Sequence, residues 1–169
     1  MKINVPIIDG YLENKYDKHT SNEYKENGFP YVSFPIDISD IPEGTKSLSL
    51  SLTDLDSVPV AGFEWIHWLV ANIDPKNNVI PANAAKENPF KWTRGNNSLA
   101  GKYLGLKEDP MSRGYVGPAP PSGVHNYTLT IYALDDNLSL SDGFWYNEMI
   151  YAMKDHILDQ TTINIPVKA

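Results

Sequence analysis

Eight consecutive residues, Ser47-Leu48-Ser49-Leu50-Ser51-Leu52-Thr53-Asp54, alternate polar and apolar without a break. A helix would scatter the three leucines around its axis. A strand puts every second side chain on one face, so the segment predicts a strand with one buried face. Trp65 to Ile73 (WIHWLVANI) is apolar on both parities, as a central strand covered on both sides must be. Asn126 to Leu134 (NYTLTIYAL) predicts a third strand, with Tyr127, Leu129, Ile131 and Ala133 on one face and threonines on the other. Tyr31 to Ile38 reads as an edge or bent strand punctuated by Pro35, and Asn164 to Val167 as a last strand. One convincing helix signal follows Ser141-Asp142, with Trp145, Met149, Ala152, Met153 and His156 spaced as a core stripe. Residues 13–27 are almost wholly polar and predict a solvated loop. Strands dominate, so the expected class is mainly β, a sandwich with one principal C-terminal helix packed on it.

A chain of 169 residues fits a single domain spanning 1–169, large enough to bury a core without covalent staples. The absence of cysteine excludes disulfides, zinc–thiolate sites, iron–sulfur clusters and thiol nucleophiles. A net charge of −7 argues against nucleic-acid binding and against adsorption to an anionic membrane. The apolar stretch near the N-terminus, broken by Asn4 and Pro6, is too short for a signal-peptide core, and a cytoplasmic location is expected. Nor does any apolar run approach the roughly 20 residues of a membrane span, so no membrane insertion is expected. Between the second and third strands, Asp74 to Gly123 is dense in Pro, Gly and Asn. A stretch so long without a strong period is usually functional.

Strand parity then singles out polar groups on apolar faces. Asp54 continues the face of Leu48, Leu50 and Leu52, and Asp56 continues the alternation, as though two carboxylates line a rim. His67 shares a parity with Trp65 and Leu69, while His125 and Tyr127 share one with Leu129 and Ile131. A carboxylate taken out of water costs several kcal/mol unless hydrogen-bonded or paired. If the three strands are neighbours, Asp54, His67, His125 and Tyr127 converge.

The segment Gly114-Tyr115-Val116-Gly117-Pro118-Ala119-Pro120-Pro121-Ser122-Gly123-Val124-His125-Asn126-Tyr127 resembles the G-x-P-P-x-G-x-H-R-Y signature of the phosphatidylethanolamine-binding protein family, which includes the Raf kinase inhibitor proteins and small bacterial relatives. Asp54-Leu55-Asp56-Ser57-Val58-Pro59 with Trp65-Ile66-His67 is similar to its second box, D-P-D-x-P followed by W-x-H. Pro42 to Ser47 resembles the P-x-G-T-K-S turn of bacterial members. The resemblance implies an antiparallel β-sandwich with short helical turns in its long loops and a small anion pocket at one end. Asp54, His67, His125 and Tyr127 would form the pocket, with Asp56, Pro59, Tyr115, Val116 and Gly117 as wall and backbone contributors. It further implies a regulatory protein that docks phosphorylated partners or inhibits a kinase or protease. Three departures stand out: Asn126 in place of the usual Arg, Leu55 in place of the first box proline, and Val58 as an extra residue before Pro59. The Asp74–Arg113 connection is also longer than in compact members and could add a lid or a partner surface. Relatives often hold the box proline cis, which would apply here to Val58–Pro59.

The chemistry expected of such a pocket is to hold a phosphate or carboxylate, including a phosphoethanolamine-like headgroup. Two imidazoles, a phenol and loop N–H groups around Gly117 would be the donors, with binding tightening as pH falls toward about 6.5. No cofactor, catalytic residue or resident metal is expected. The alternatives are a two-histidine, one-carboxylate metal site made by His67, His125 and Asp54, a hydrolase using the same pocket, or an interaction protein whose pocket is vestigial. Ser57 and Ser122 read as ordinary loop serines, since no G-x-S-x-G elbow is present. A homodimer is left open.

Overall fold

The leucine–serine alternation does form a strand, and two sheets assemble around it in the computed structural model, which describes all of Met1–Ala169. The strands are β1 (Lys2–Asn4), β2 (Ile36–Ser39), β3 (Ser47–Asp54), β4 (Trp65–Ile73), β5 (Val79–Ile80), β6 (Thr93–Arg94), β7 (Val124–Leu134) and β8 (Ile157–Lys168). Three helices join them: α1 (Val58–Ala61), α2 (Ala84–Glu87) and α3 (Tyr146–Met153). The larger sheet runs β6-β4-β3-β7-β8 and the smaller β1-β2-β5, with antiparallel pairing throughout. Two short hairpins, Ile7–Ile8 with Tyr11–Leu12 and Lys25–Glu26 with Phe29–Pro30, complete the β structure.

The principal core lies between the two sheets. Leu48, Leu50 and Leu52 of β3, Trp68 and Val70 of β4 and Leu129 and Ile131 of β7 meet Ile36, Ile38 and Ile80 from the smaller sheet. The serine face of β3 is not solvated, contrary to expectation: all eight residues are buried. A second layer covers that face, where Met149 and Met153 of α3 pack with Phe144, Leu69, Tyr132 and Leu134. Two of the buried serines find local partners, Ser47 Oγ donating to the Asp136 carbonyl at 2.6 Å and Ser51 Oγ lying 3.5 Å from the Tyr146 hydroxyl, whereas Ser49 Oγ has none in the protein.

Helix α3 begins at Tyr146 rather than after Ser141. The Glu148 carboxylate accepts the Trp145 N–H at 2.6 Å and caps the first turn. Asp142 instead accepts the Arg94 backbone N–H at 2.9 Å and its guanidinium at 3.1 Å, tying the segment to β6. Of the expected stripe, Met149 and Met153 are buried, whereas His156 lies beyond the helix and its ring bonds Asp135. Between Tyr31 and Ile38 only the end is a strand, because β2 starts after Pro35. The last strand is three times longer than expected. Strand β8 is an edge whose first two-thirds is at least partly exposed on both faces, which tolerates Gln160, Thr161 and Thr162. Within the polar stretch 13–27, Tyr16, Asp17 and Thr20 are buried, so it is not wholly a solvated loop. Asp17 is held there by the N–H and ring of His19, at 2.8 and 3.0 Å.

Candidate functional site: a pocket at one end of the larger sheet

Sheet register builds the site. Asp54, the last residue of β3, sits directly opposite Tyr127 of β7 on one side and Trp65 of β4 on the other. The three side chains therefore form a row across neighbouring strands, and His125 lies two residues along β7 on the same face as Tyr127. His67 arrives differently. Register between β3 and β4 passes from Leu52–Trp68 to Thr53–Ile66, which leaves His67 as the extra residue of a bulge. Regular alternation would have put it on the face of Leu69, which packs in the other core layer. The bulge turns it to the pocket side, a common use of bulges beside functional sites. The segment after Tyr115 fixes the bulge from outside, since the His67 carbonyl accepts the Val116 N–H at 3.0 Å.

Asp54, His67, His125 and Tyr127 all line one cavity of about 230 Å³. That is below the roughly 300–1,000 Å³ of drug-sized sites, and it suits an ion or a headgroup. Trp65, Phe29, Val60, Ala119, Pro120 and Pro121 supply most of the remaining, largely apolar wall. The two prolines belong to the G-x-P-P segment. Trp65 was legible only as the partner of Asp54 once register is known, and Phe29 comes from a distant hairpin with no local signal.

Of the other residues expected at the pocket, only Gly117 lines it. A Cβ there would lie 2.7 Å from Pro30 Cβ and 2.8 Å from its carbonyl oxygen, so glycine is required for the close approach of the two chains. Asp56 is exposed and turned away from the cavity, its carboxylate accepting the Asn126 N–H at 2.7 Å and the side-chain amide at 3.3 Å. Asn126, which replaces the usual Arg, thus braces the start of β7. Tyr115 is a core residue, its ring edge-on to Trp68 at 5.4 Å and to Phe34 at 6.3 Å. The Val116 side chain packs with Leu99 and Met111, and only its backbone serves the site. Pro59 stands in the first turn of α1, where a trans proline has the φ that a helix start needs. No peptide bond in the chain is cis, so the expected cis Val58–Pro59 bond is absent. The extra residue Val58 lets the turn continue as Leu55–Ser57 and α1 instead of a tight proline turn.

The hydrogen bonds assign the protons. His125 Nδ1–H donates to Asp54 Oδ2 at 2.7 Å, and His67 Nδ1–H donates to the Val116 carbonyl at 2.7 Å, which can only accept. The Tyr127 hydroxyl accepts the Ala119 N–H at 3.1 Å, leaving its own hydrogen to give. Loop donors do not point into the cavity as expected. The Gly117 N–H donates to the Pro30 carbonyl and the Val116 N–H to His67, while residues 118, 120 and 121 are prolines. No Lys or Arg lines the cavity.

Burial holds His67 neutral. Loss of solvent outweighs both its bond to Val116 and the attraction of Asp54, with His125 opposing further, and its pKa is pulled down to about 4. His67 is therefore not one of the rings that would charge near pH 6.5. Burial likewise raises the Tyr127 phenol above the ordinary tyrosine range, with Asp54 adding to the effect. A consequence for stability follows. In the unfolded chain the His67 imidazole takes a proton near pH 6.5, whereas in the fold it stays neutral down to about 4. Its contribution is therefore whole above pH 6.5 and falls away between 6.5 and 4, by about 3 kcal/mol. Urea unfolding across that window, compared between wild type and His67→Asn, should show a shallower acid loss in the variant.

Ser57 lines the cavity, but its hydroxyl lies 2.6 Å from the Asp54 carbonyl and 2.8 Å from the Phe63 carbonyl and accepts the Trp65 N–H at 2.9 Å. It is a structural clasp. No group of three or more His, Asp or Glu side chains is arranged to hold a metal ion. In the Asp74–Arg113 connection, Asn97 is fully buried, donating to the Met111 and Gly114 carbonyls at 2.5 and 3.1 Å, and Ser98 Oγ accepts the Ile66 N–H at 2.8 Å. That part of the connection buttresses β4 behind the pocket.

The fold is thus a β-sandwich in which two histidines, an aspartate and a tyrosine line a small cavity at one end. A family model described as phosphatidylethanolamine-binding protein matches residues 8–168, and the chain belongs to that family. It is 44% identical over 155 residues to the uncharacterized protein YxkA of Bacillus subtilis, covering 92% of each chain. It is 32% identical to a UPF0098 protein of Methanothermobacter thermautotrophicus, across 78% of this chain and 80% of that one. Among solved structures it resembles CT736 of Chlamydia trachomatis, a homologue in the same family, with TM-score 0.72, 27% identity and 94% and 90% coverage. Escherichia coli YbcL shares the fold at TM-score 0.76 and 20% identity, covering 99% and 98%. No helix is long and apolar enough to cross a membrane.

Proposed function

We propose that the end pocket binds a small phosphoryl or carboxylate group, carried on a phosphoethanolamine-like headgroup or a phosphorylated partner, and that the protein acts as a regulatory binding module. The convergence of Asp54, His67, His125 and Tyr127 on one cavity of about 230 Å³ carries this reading. Tyr127 has a hydroxyl hydrogen to donate, and His125 presents Nε2 with Nδ1 fixed on Asp54. The walls are largely apolar, so each hydrogen bond to an oxyanion is made away from competing water. In this reading the partner class is a kinase or protease on which the module docks.

The test is calorimetric titration with inorganic phosphate of wild type and Tyr127→Phe. Wild type should bind, and the variant should lose about ten-fold or more in affinity, as expected when a hydrogen bond to a charged group is removed. An absence of phosphate binding in wild type, or an affinity unchanged by Tyr127→Phe, would remove the pocket from the function.

A further inference from the structure

The pocket has more unmet hydrogen-bond acceptors than a receptor for a bare anion should have. Asp54 is 3% exposed and lines the cavity. One of its oxygens is engaged by His125, while the other, Oδ1, is buried with no donor in the protein. His67 presents a second acceptor, because its proton sits on Nδ1 facing the Val116 carbonyl and Nε2 is left bare. No fixed cation lines the cavity to offset these groups. Lys18 gives its ammonium to the Pro120 carbonyl at 2.7 Å instead. A fully ionised oxyanion entering here would bring its charge against the Asp54 carboxylate. Like charges close together in a dry site repel strongly. An oxyanion that keeps one O–H has a hydrogen to place on Oδ1 and oxygens left to accept from the Tyr127 hydroxyl. The buried indole N–H of Trp65, also on the wall, has no partner in the protein either. A ligand that is donor and acceptor at once would satisfy both unmet groups.

We propose that the pocket selects the singly protonated oxyanion, the monoanion of a phosphate monoester, by accepting its hydroxyl hydrogen at Asp54 Oδ1, and rejects sulfate esters of the same charge and shape. This deepens the phosphoryl-binding reading and rests on it. Phosphate monoesters lose their second proton at a pKa of about 6, whereas a sulfate ester has no proton to give under the same conditions. The groups facing Asp54 are His67 from β4 and His125 and Tyr127 from β7, with Asp56 from the turn after β3 and Asp17 from the N-terminal segment acting on Tyr127. Charging of a histidine would favour both kinds of ester alike, so a pair of esters at one pH separates histidine charging from proton donation by the ligand.

The experiment titrates the full chain with methyl phosphate and methyl sulfate at pH 5.5 and 7.5. At pH 5.5 methyl phosphate should bind about ten-fold or more tightly than methyl sulfate, the discrimination expected when a site built for a hydrogen bond meets an analogue lacking it. Methyl phosphate should weaken at pH 7.5, where it is mostly the dianion. In Asp54→Asn, whose amide can donate to either ester, the preference should shrink to within about three-fold. Equal binding of the two esters by wild type overturns the inference and leaves the phosphoryl-binding reading standing. Discrimination that survives Asp54→Asn removes Asp54 as its origin. If neither ester binds wild type, the reading and the inference fall together. The wild-type titrations decide the matter even if the variant does not fold.

Discussion

His125→Ala should lower the unfolding free energy by about 3 kcal/mol or more at neutral pH, well beyond what the loss of one neutral hydrogen bond would cost. The reason is Asp54. It is buried at the end of a leucine face, Oδ1 has no donor, and Oδ2 has the His125 ring alone at 2.7 Å. Removing the ring leaves a carboxylate out of water with neither oxygen paired, the costliest way to break a buried pair. The double variant Asp54→Leu with His125→Ala removes the carboxylate as well and extends the run of Leu48, Leu50 and Leu52. It should recover most of the loss, giving a coupling of about 2 kcal/mol between the two sites. Urea unfolding of the four proteins measures this. If the two single effects simply add, the pair is not the unit that holds this end of the sheet. Neither variant should bind phosphate, so stability can be regained without regaining the site.

What the sequence disclosed of this arrangement divides along physical lines. Ser47–Asp54 and Trp65–Ile73 were legible residue for residue, because burial on a sheet writes itself into hydropathy at period two. His125 and Tyr127 followed from the same arithmetic, since β7 pairs with β3 without a register shift from Leu134 to Tyr127. His67 did not. Parity assigned it to the face of Leu69, and only the bulge, held by the Val116 N–H from another part of the chain, reverses that assignment. Parity and family resemblance both named His67, but parity reached it by the wrong face, and only the bulge makes the placement hold. The burial of the serine face of β3 was also hidden, because serine side chains small enough to lie beneath α3 have the same polarity as serines facing water. Donor direction was the least legible feature. Glycines and prolines around residue 117 announce a loop, but whether its N–H groups face a ligand or the Pro30 carbonyl depends on a chain segment some ninety residues away in sequence.

Trp68→Ala should be the most destabilising single change in the molecule outside the pocket, at about 3–5 kcal/mol. The ring is fully buried at the centre of an aromatic chain, edge-on to Tyr115 at 5.4 Å and to Trp92 at 6.0 Å. Those two rings continue to Phe34 and Phe90 respectively, so truncation opens a cavity whose walls are themselves large and rigid and cannot collapse into it. Trp68→Phe should cost less than half as much. It keeps an edge-on ring and removes an indole N–H that has no partner in the protein, offsetting part of the lost area. The effect should also reach the pocket, because Tyr115 is the residue before Val116 and the Val116 carbonyl is what orients His67. With Tyr115 released, phosphate affinity should fall in Trp68→Ala under conditions where the protein is still folded by circular dichroism, while Trp68→Phe binds as wild type does. Urea midpoints order the three proteins, and phosphate titration of the folded variants tests the link. A Trp68→Ala protein with weakened stability but unaltered binding would show that the 115–117 segment is held by Pro30 and β4 alone, without help from the core beneath it.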